Sequence, residues 1–87
     1  MFMNERMEKF KKSVKSQIPD INIGYKEFED GYVQIFYYSK ANPEEIFEVL
    51  GEALEINFLN DEIFNIGLRR VIDERFEEYF PNETLKS

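Results

Sequence analysis

The sequence predicts a small α+β domain in the order α-β-β-α-α: an antiparallel hairpin, with room for a short third strand, packed against helices. Three observations carry this expectation. Apolar residues recur with a period near 3.6 over the first eighteen positions, with a period of two between Ile21 and Ser39, and again near 3.6 after Pro43. Eighty-seven residues leave room for one core, so residues 1–87 are read as a single domain.

The first helix is expected over 2–18. Met3, Met7, Phe10, Val14 and Ile18 are spaced four, three, four and four apart, which gathers them into a stripe about 80° wide. Pro19 ends it, because the residue before a proline is pushed out of the helical region. Lys9, Lys12 and Lys15 fall on the outer side of that helix.

The hairpin is expected over 21–39. Asp30-Gly31 sits between β-rich runs and predicts a two-residue type I′ turn, which needs positive φ at both central positions. That turn would set Tyr25 opposite Phe36 and Ile23 opposite Tyr38. One face would carry Ile21, Ile23, Tyr25, Phe36 and Tyr38, and the other Phe28, Val33, Ile35 and Tyr37. With both faces largely apolar, one is expected to be covered by helices and the other partly solvated.

A helix over 43–56 starts at an Asn42 cap, with Pro43 in the first turn and Glu45 placed to reach back to the cap. At 100° per residue, Ile46, Phe47, Val49, Leu50, Ala53 and Leu54 fill an arc from about 140° to 300°. Glu44, Glu45, Glu48, Glu52 and Glu55 fill the arc from 0° to about 100°, with no lysine or arginine among them. Residues 56–59 read equally as helix end or short strand. A last helix is expected over 61–80, capped by Asn60 and stopped by Pro81. Its buried face would hold Phe64, Leu68, Val71, Ile72, Phe76 and Tyr79, with Arg75 among them and Arg69 and Arg70 paired along the helix to Asp73 and Glu74. The tail 81–87 is expected to fray.

Composition narrows function by exclusion. With no Cys and no His, disulfides, thiolate nucleophiles, zinc sites and imidazole catalysis all drop out. No segment reproduces a catalytic, nucleotide or calcium motif, so no catalytic residue, metal ligand or cofactor is assigned and the chain is read as a non-enzyme. The first residues mix charge with apolar side chains, unlike a signal peptide or membrane span, which makes the cytoplasm the expected location. Eighteen acidic against eleven basic residues give a net charge of −7. It is uneven: Arg6, Lys9, Lys11, Lys12 and Lys15 leave residues 1–18 at +3, and the remainder at −10. Such a chain repels nucleic acid and anionic membrane and favours a protein partner with a basic surface.

Two candidate binding features follow. The first is the glutamate ridge, Glu44, Glu45, Glu48, Glu52 and Glu55. Like charges along the helix repel by only about 0.2–0.5 kcal/mol per pair, so a plain solvated face is the bland explanation and a docking surface the sharper one. The ridge carries a charge about every 3.3 Å of rise, near the 3.4 Å spacing of phosphates on one DNA strand, so it could also imitate nucleic acid. Lys9, Lys12 and Lys15 would screen it if the two helices were neighbours. The second feature is the aromatic hairpin: nine Phe and five Tyr exceed what a small core needs, and Tyr25, Tyr32, Phe36 and Tyr38 could form a partner-binding sheet face. Ile63 and Ile66 fall off the apolar stripe of the last helix and are read as a candidate oligomer interface, with homodimerisation in view.

In size and acidity the chain is similar to small acidic proteins of phages and mobile elements, including anti-CRISPR inhibitors. That likeness rests on composition and carries no residues over. The leading expectation is a regulatory or inhibitory protein-binding module. The alternatives are a nucleic-acid mimic and a structural homo-oligomer.

Overall fold

In the computed structural model, which describes residues 3–63 and 65–83, the expected α+β architecture is present with one more strand and a different C-terminal part. The order is α1 (Met3–Gln17), β1 (Asn22–Glu27), β2 (Val33–Tyr38), α2 (Pro43–Asn57), α3 (Asn60–Ile63) and β3 (Ile66–Arg70). A 3₁₀ turn, Asp73–Arg75, then runs into the one-turn helix α4 (Phe76–Tyr79). The predicted start at Phe2, the place given to Phe64 and the tail after Glu83 lie outside the described residues.

Helix α1 buries Met7, Phe10 and Val14, and Ile18 just past its end is buried with them, as the predicted stripe requires; the side chain of Met3, its fifth member, lies outside the described residues. Helix α2 begins as its sequence dictates: the Asn42 side-chain oxygen accepts from the Glu44 N–H at 2.8 Å, and Pro43 occupies the first turn. It ends where Phe58 turns extended, its N–H donating to the Leu54 carbonyl at 2.9 Å. Residues 56–59 therefore form no strand. The Phe58 ring instead packs edge-on against Phe10, centroids 6.1 Å apart, and ties α2 to α1.

The sheet order is β1-β2-β3, with β1 antiparallel and β3 parallel to β2. The hairpin register differs from expectation by one residue. Gly31 alone among the described residues has positive φ, at 88°, so a type I′ turn cannot form. The loop is instead Glu29-Asp30-Gly31. The Gly31 N–H donates to the Phe28 carbonyl at 3.0 Å, the Phe28 N–H donates to the Tyr32 carbonyl at 2.8 Å, and the Asp30 carboxylate accepts from the Tyr32 N–H at 3.1 Å. This is a three-residue loop with glycine in the left-handed position. Its extra residue slips the register, pairing Tyr25 with Ile35, Ile23 with Tyr37 and Gly24 with Phe36. A slip of one moves a whole strand to the other face. Ile23 and Tyr25 thus join Val33, Ile35 and Tyr37 under the helices, while Phe36 and Tyr38 face the opposite way.

The helix expected over 61–80 does not form. After the single turn of α3 the chain pairs with β2, Val33 opposite Ile66 and Ile35 opposite Leu68. Two forces favour the strand. Glycine inside a helix costs about 1 kcal/mol relative to alanine, and Gly67 would sit mid-helix. In the strand it is useful: the Tyr32 ring lies across it, where any Cβ would overlap the hydroxyl. The free edge of β2 supplies the second force, because Ile66 and Leu68 bury their side chains on the main core only when paired there. Gly24 on β1 repeats the device under the Phe36 ring.

Two apolar clusters result. The main core lies between the sheet and α1 and α2, with Tyr25, Tyr37, Ile63, Ile66 and Leu68 packed at its margin. On the other face, expected to be partly solvated, Tyr38, Val71, Phe76 and Phe80 are buried, with Phe36 and Tyr79 against them. Ile63 and Ile66, expected to protrude as an oligomer contact, are used inside the fold; the reason for assigning them to an interface disappears with the long helix. Among the described residues no helix is long and apolar enough to cross a membrane.

Candidate docking surface

Helix α2 presents the ridge as its sequence predicts. Glu44, Glu45, Glu48, Glu52 and Glu55 are all exposed, on the side opposite the buried Ile46, Val49, Leu50, Ala53 and Leu54. Among the described residues no ion pair reaches any of the five. Arg6 pairs with Glu62, Lys11 with Glu8 at 3.7 Å, and Arg75 with Glu78 at 2.7 Å. The screening expected from Lys9, Lys12 and Lys15 is absent as direct contact, although α1 and α2 are neighbours. Lys12 and Lys15 border a groove on the β1 side of α1 instead.

The ridge is flanked by apolar surface that the sequence pattern assigned elsewhere. Phe47, expected on the dry arc, is 69% exposed, and Ile56 is 75% exposed. Phe47 lies at about 300° on the helix wheel, one step outside the last buried residue, and Ile56 closes the other margin at about 120°. Between Phe47 and Glu44 stands Gly51, at about 340°. A Cβ at Gly51 would meet nothing within 4 Å. Glycine is therefore not required there by the packing of this chain, and it weakens α2 by about 1 kcal/mol relative to alanine. Sequence periodicity finds the ridge but not Phe47, because which margin of a broad apolar arc is covered depends on the neighbouring helix.

The aromatic hairpin is placed differently from expectation. Tyr25 packs at the margin of the main core. Tyr32 lies across Gly67 and against Phe28, centroids 5.7 Å apart. Phe36 packs at a tilt against Tyr79 and Phe80, centroids 5.1 and 5.5 Å away, and Tyr38 meets Phe76 edge-on at 5.0 Å. Tyr32, Phe36 and Tyr38 thus each pack against another ring, Tyr25 packs against the core margin, and of the four only Tyr38 is fully buried. Arg75, expected within a buried stripe, sits at the surface. It makes two hydrogen bonds to the Glu78 carboxylate at 2.9 and 2.7 Å and lies over the Tyr79 ring at 5.2 Å. Its guanidinium holds Glu78 below the usual carboxylate range. Arg69 and Arg70, in β3, are not the helix partners of Asp73 and Glu74 that periodicity implied.

The polar groups that are partly buried serve structure. The Tyr38 hydroxyl donates to Asp73 at 2.6 Å, and this bond, followed by burial and the negative charge of Asp73, pushes its pKa up to about 12. Asp20 accepts from the Ser39 hydroxyl at 2.9 Å and the Lys40 N–H at 3.1 Å, pinning the end of β2 to the turn after α1. Glu62 is held below the usual carboxylate range by Arg6 and then by the Leu59 N–H, which locks α3 to α1. Among the described residues no cluster of acidic side chains is arranged to hold a metal ion. Compared with known proteins, the chain matches no family model, no curated sequence and no solved structure.

Proposed function

We propose that this protein is a non-enzymatic binding module, regulatory or inhibitory in role, that docks a basic protein partner through the outer face of α2. The observation that carries the reading is the combination on one helix face: five exposed glutamates without a counterion among the described residues, beside an exposed Phe47 and a bare Gly51. Glutamates alone serve solubility. A large ring held in water at 69% exposure does not. Aromatic anchors supply much of the energy of protein interfaces, and uncompensated charge around them steers the encounter and sets its specificity. Gly51 lets a partner approach the helix backbone closely, which accounts for a residue that costs α2 stability.

The test is a Glu48→Lys/Glu52→Lys variant used as bait beside the parent chain, at low and high salt. We expect the parent to retain a salt-sensitive partner that the variant loses, while thermal stability holds or rises because like charges have been separated. A partner retained equally by both ends this reading. The uncompensated row of carboxylates also keeps the nucleic-acid mimic in view. In that case duplex DNA or RNA competes for the partner, whereas a purely protein-directed dock is indifferent to it. A homo-oligomer predicts light scattering above the 10.5 kDa of one chain.

A further inference from the structure

The opposite charge gathers at a different place. A groove of about 480 Å³ lies beside the start of β1, lined by Lys11, Lys12 and Lys15 of α1, by Asn22 and Ile23 at the head of the strand, and by Phe80. Among the described residues β1 is an edge strand, hydrogen-bonded to β2 alone. Its alternation is fixed by the turn: Phe28 donates to the Tyr32 carbonyl, so Lys26, Gly24 and Asn22 bond inward to β2. Ile23, Tyr25 and Glu27 consequently present their N–H and C=O groups outward. Lys26, whose ammonium lies 5.5 Å over the Phe28 ring, flanks the same edge from the other face of the sheet. The acids bordering the groove are Glu8, paired to Lys11 at 3.7 Å, and Glu83. Among the described residues Lys12 and Lys15 have no carboxylate within ion-pair distance.

We propose that the β1 edge is a second binding site, which takes an acidic peptide in extended form as a fourth strand of the sheet. The backbone of Ile23, Tyr25 and Glu27 supplies the hydrogen bonds that any extended chain can accept. The charge selects among such chains: carboxylates on one side of the added strand meet Lys12 and Lys15, while alternate side chains rest toward Phe80. A second copy of this protein pairing β1 to β1 is disfavoured, since it would bring two sets of these lysines together. This site is independent of the α2 ridge and opposite to it in sign.

The probe is a short capped peptide alternating Glu and Val, titrated into the full chain and followed by backbone amide shifts and hydrogen exchange. We expect the amides of Ile23, Tyr25 and Glu27 to become protected on binding, with those of Gly24 and Lys26 already protected beforehand. Lys12→Glu/Lys15→Glu should weaken the affinity about tenfold, and added salt should weaken it for the parent chain. Lys12→Gln/Lys15→Gln gives a milder version should the reversal disturb α1. A peptide N-methylated at its bonding positions should not bind. Unperturbed spectra at saturating peptide would overturn the proposal. So would protection at Ile66–Arg70 instead, equal binding of a Lys/Val peptide, or a lysine variant that self-associates while the parent ignores the peptide, which would make the lysines mere guards of an edge.

Discussion

On one face of the sheet two helices of fifteen residues each press mainly aliphatic side chains onto Ile23, Val33 and Ile35. On the other face a 3₁₀ turn and a one-turn helix do the covering, almost entirely with rings: Phe76, Tyr79 and Phe80 against Phe36 and Tyr38. The difference shows how a short segment closes a sheet face. An aromatic side chain buries more area per residue than an aliphatic one, so a few rings can do what a long helix does with many small knobs. Rings need space, and the sheet provides it by omitting side chains where Phe36 and Tyr32 lie across Gly24 and Gly67. The main core is framed by two long helices; the ring cluster has close geometric constraints and little backbone to support it.

The strongest way to break this contrast is to remove one buried ring from each side. Phe10→Ala opens the main core between α1 and α2 and should cost near the top of the about 3–5 kcal/mol range for such truncations, with loss of a single cooperative denaturant transition. Phe76→Ala should cost nearer the bottom of that range. Its signature should be local: faster amide exchange in Val71–Phe80 with the hairpin still protected. Equal losses with identical exchange patterns would mean that the two clusters are one core.

A smaller effect sharpens the role of the recesses. Gly24→Ala places a methyl group inside the Phe36 ring and should destabilise by about 1–3 kcal/mol. A Phe36→Leu partner should restore part of that in a double-mutant cycle measured by chemical denaturation. Independent, additive losses would show that the ring does not depend on the missing side chain. The smallest effect concerns the polar clasp of the ring cluster. Tyr38→Phe removes the hydrogen bond to Asp73 and should cost about 1 kcal/mol near neutral pH. The tyrosine's pKa is raised from 10.0 to about 12 in the fold, so its contribution is complete below pH 10 and is lost as pH climbs through about 12. The variant should lack that alkaline decline, and phenolate absorbance of the parent should show one tyrosine ionising late.

Much of this arrangement was legible in the residues. Helix α1 follows from its apolar spacing, and α2 from Asn42, Pro43 and the separation of glutamates from aliphatic residues; both depend on local rules that hold whatever surrounds them. The register of the hairpin was not legible from Asp30-Gly31, because a two-residue and a three-residue turn use the same pair of residues and only the φ of Asp30 separates them. Strand β3 was missed because Leu68, Val71, Ile72 and Phe76 happen to recur with helical spacing. A signal was available: Asn65-Ile66-Gly67 repeats the Asn22-Ile23-Gly24 that opens β1. In both, the glycine lies under an aromatic ring from the hairpin. For the candidate site, the ridge required only helical arithmetic. The exposure of Phe47 and the internal use of Phe36 and Tyr38 depend on tertiary packing and on the register, which periodicity alone does not supply.

Because β3 runs in the same direction as β2, the two strands cannot meet through a tight turn, and the chain must first lay down α2 and α3 between them. The hairpin closes from neighbouring residues and forms early, while the third strand waits on distant ones. A hairpin formed without β3 would leave the far side of β2 unpaired and Phe36 and Tyr38 in water. Refolding yield is therefore expected to fall as protein concentration rises; single-exponential refolding that is independent of concentration would show that no such stage is populated.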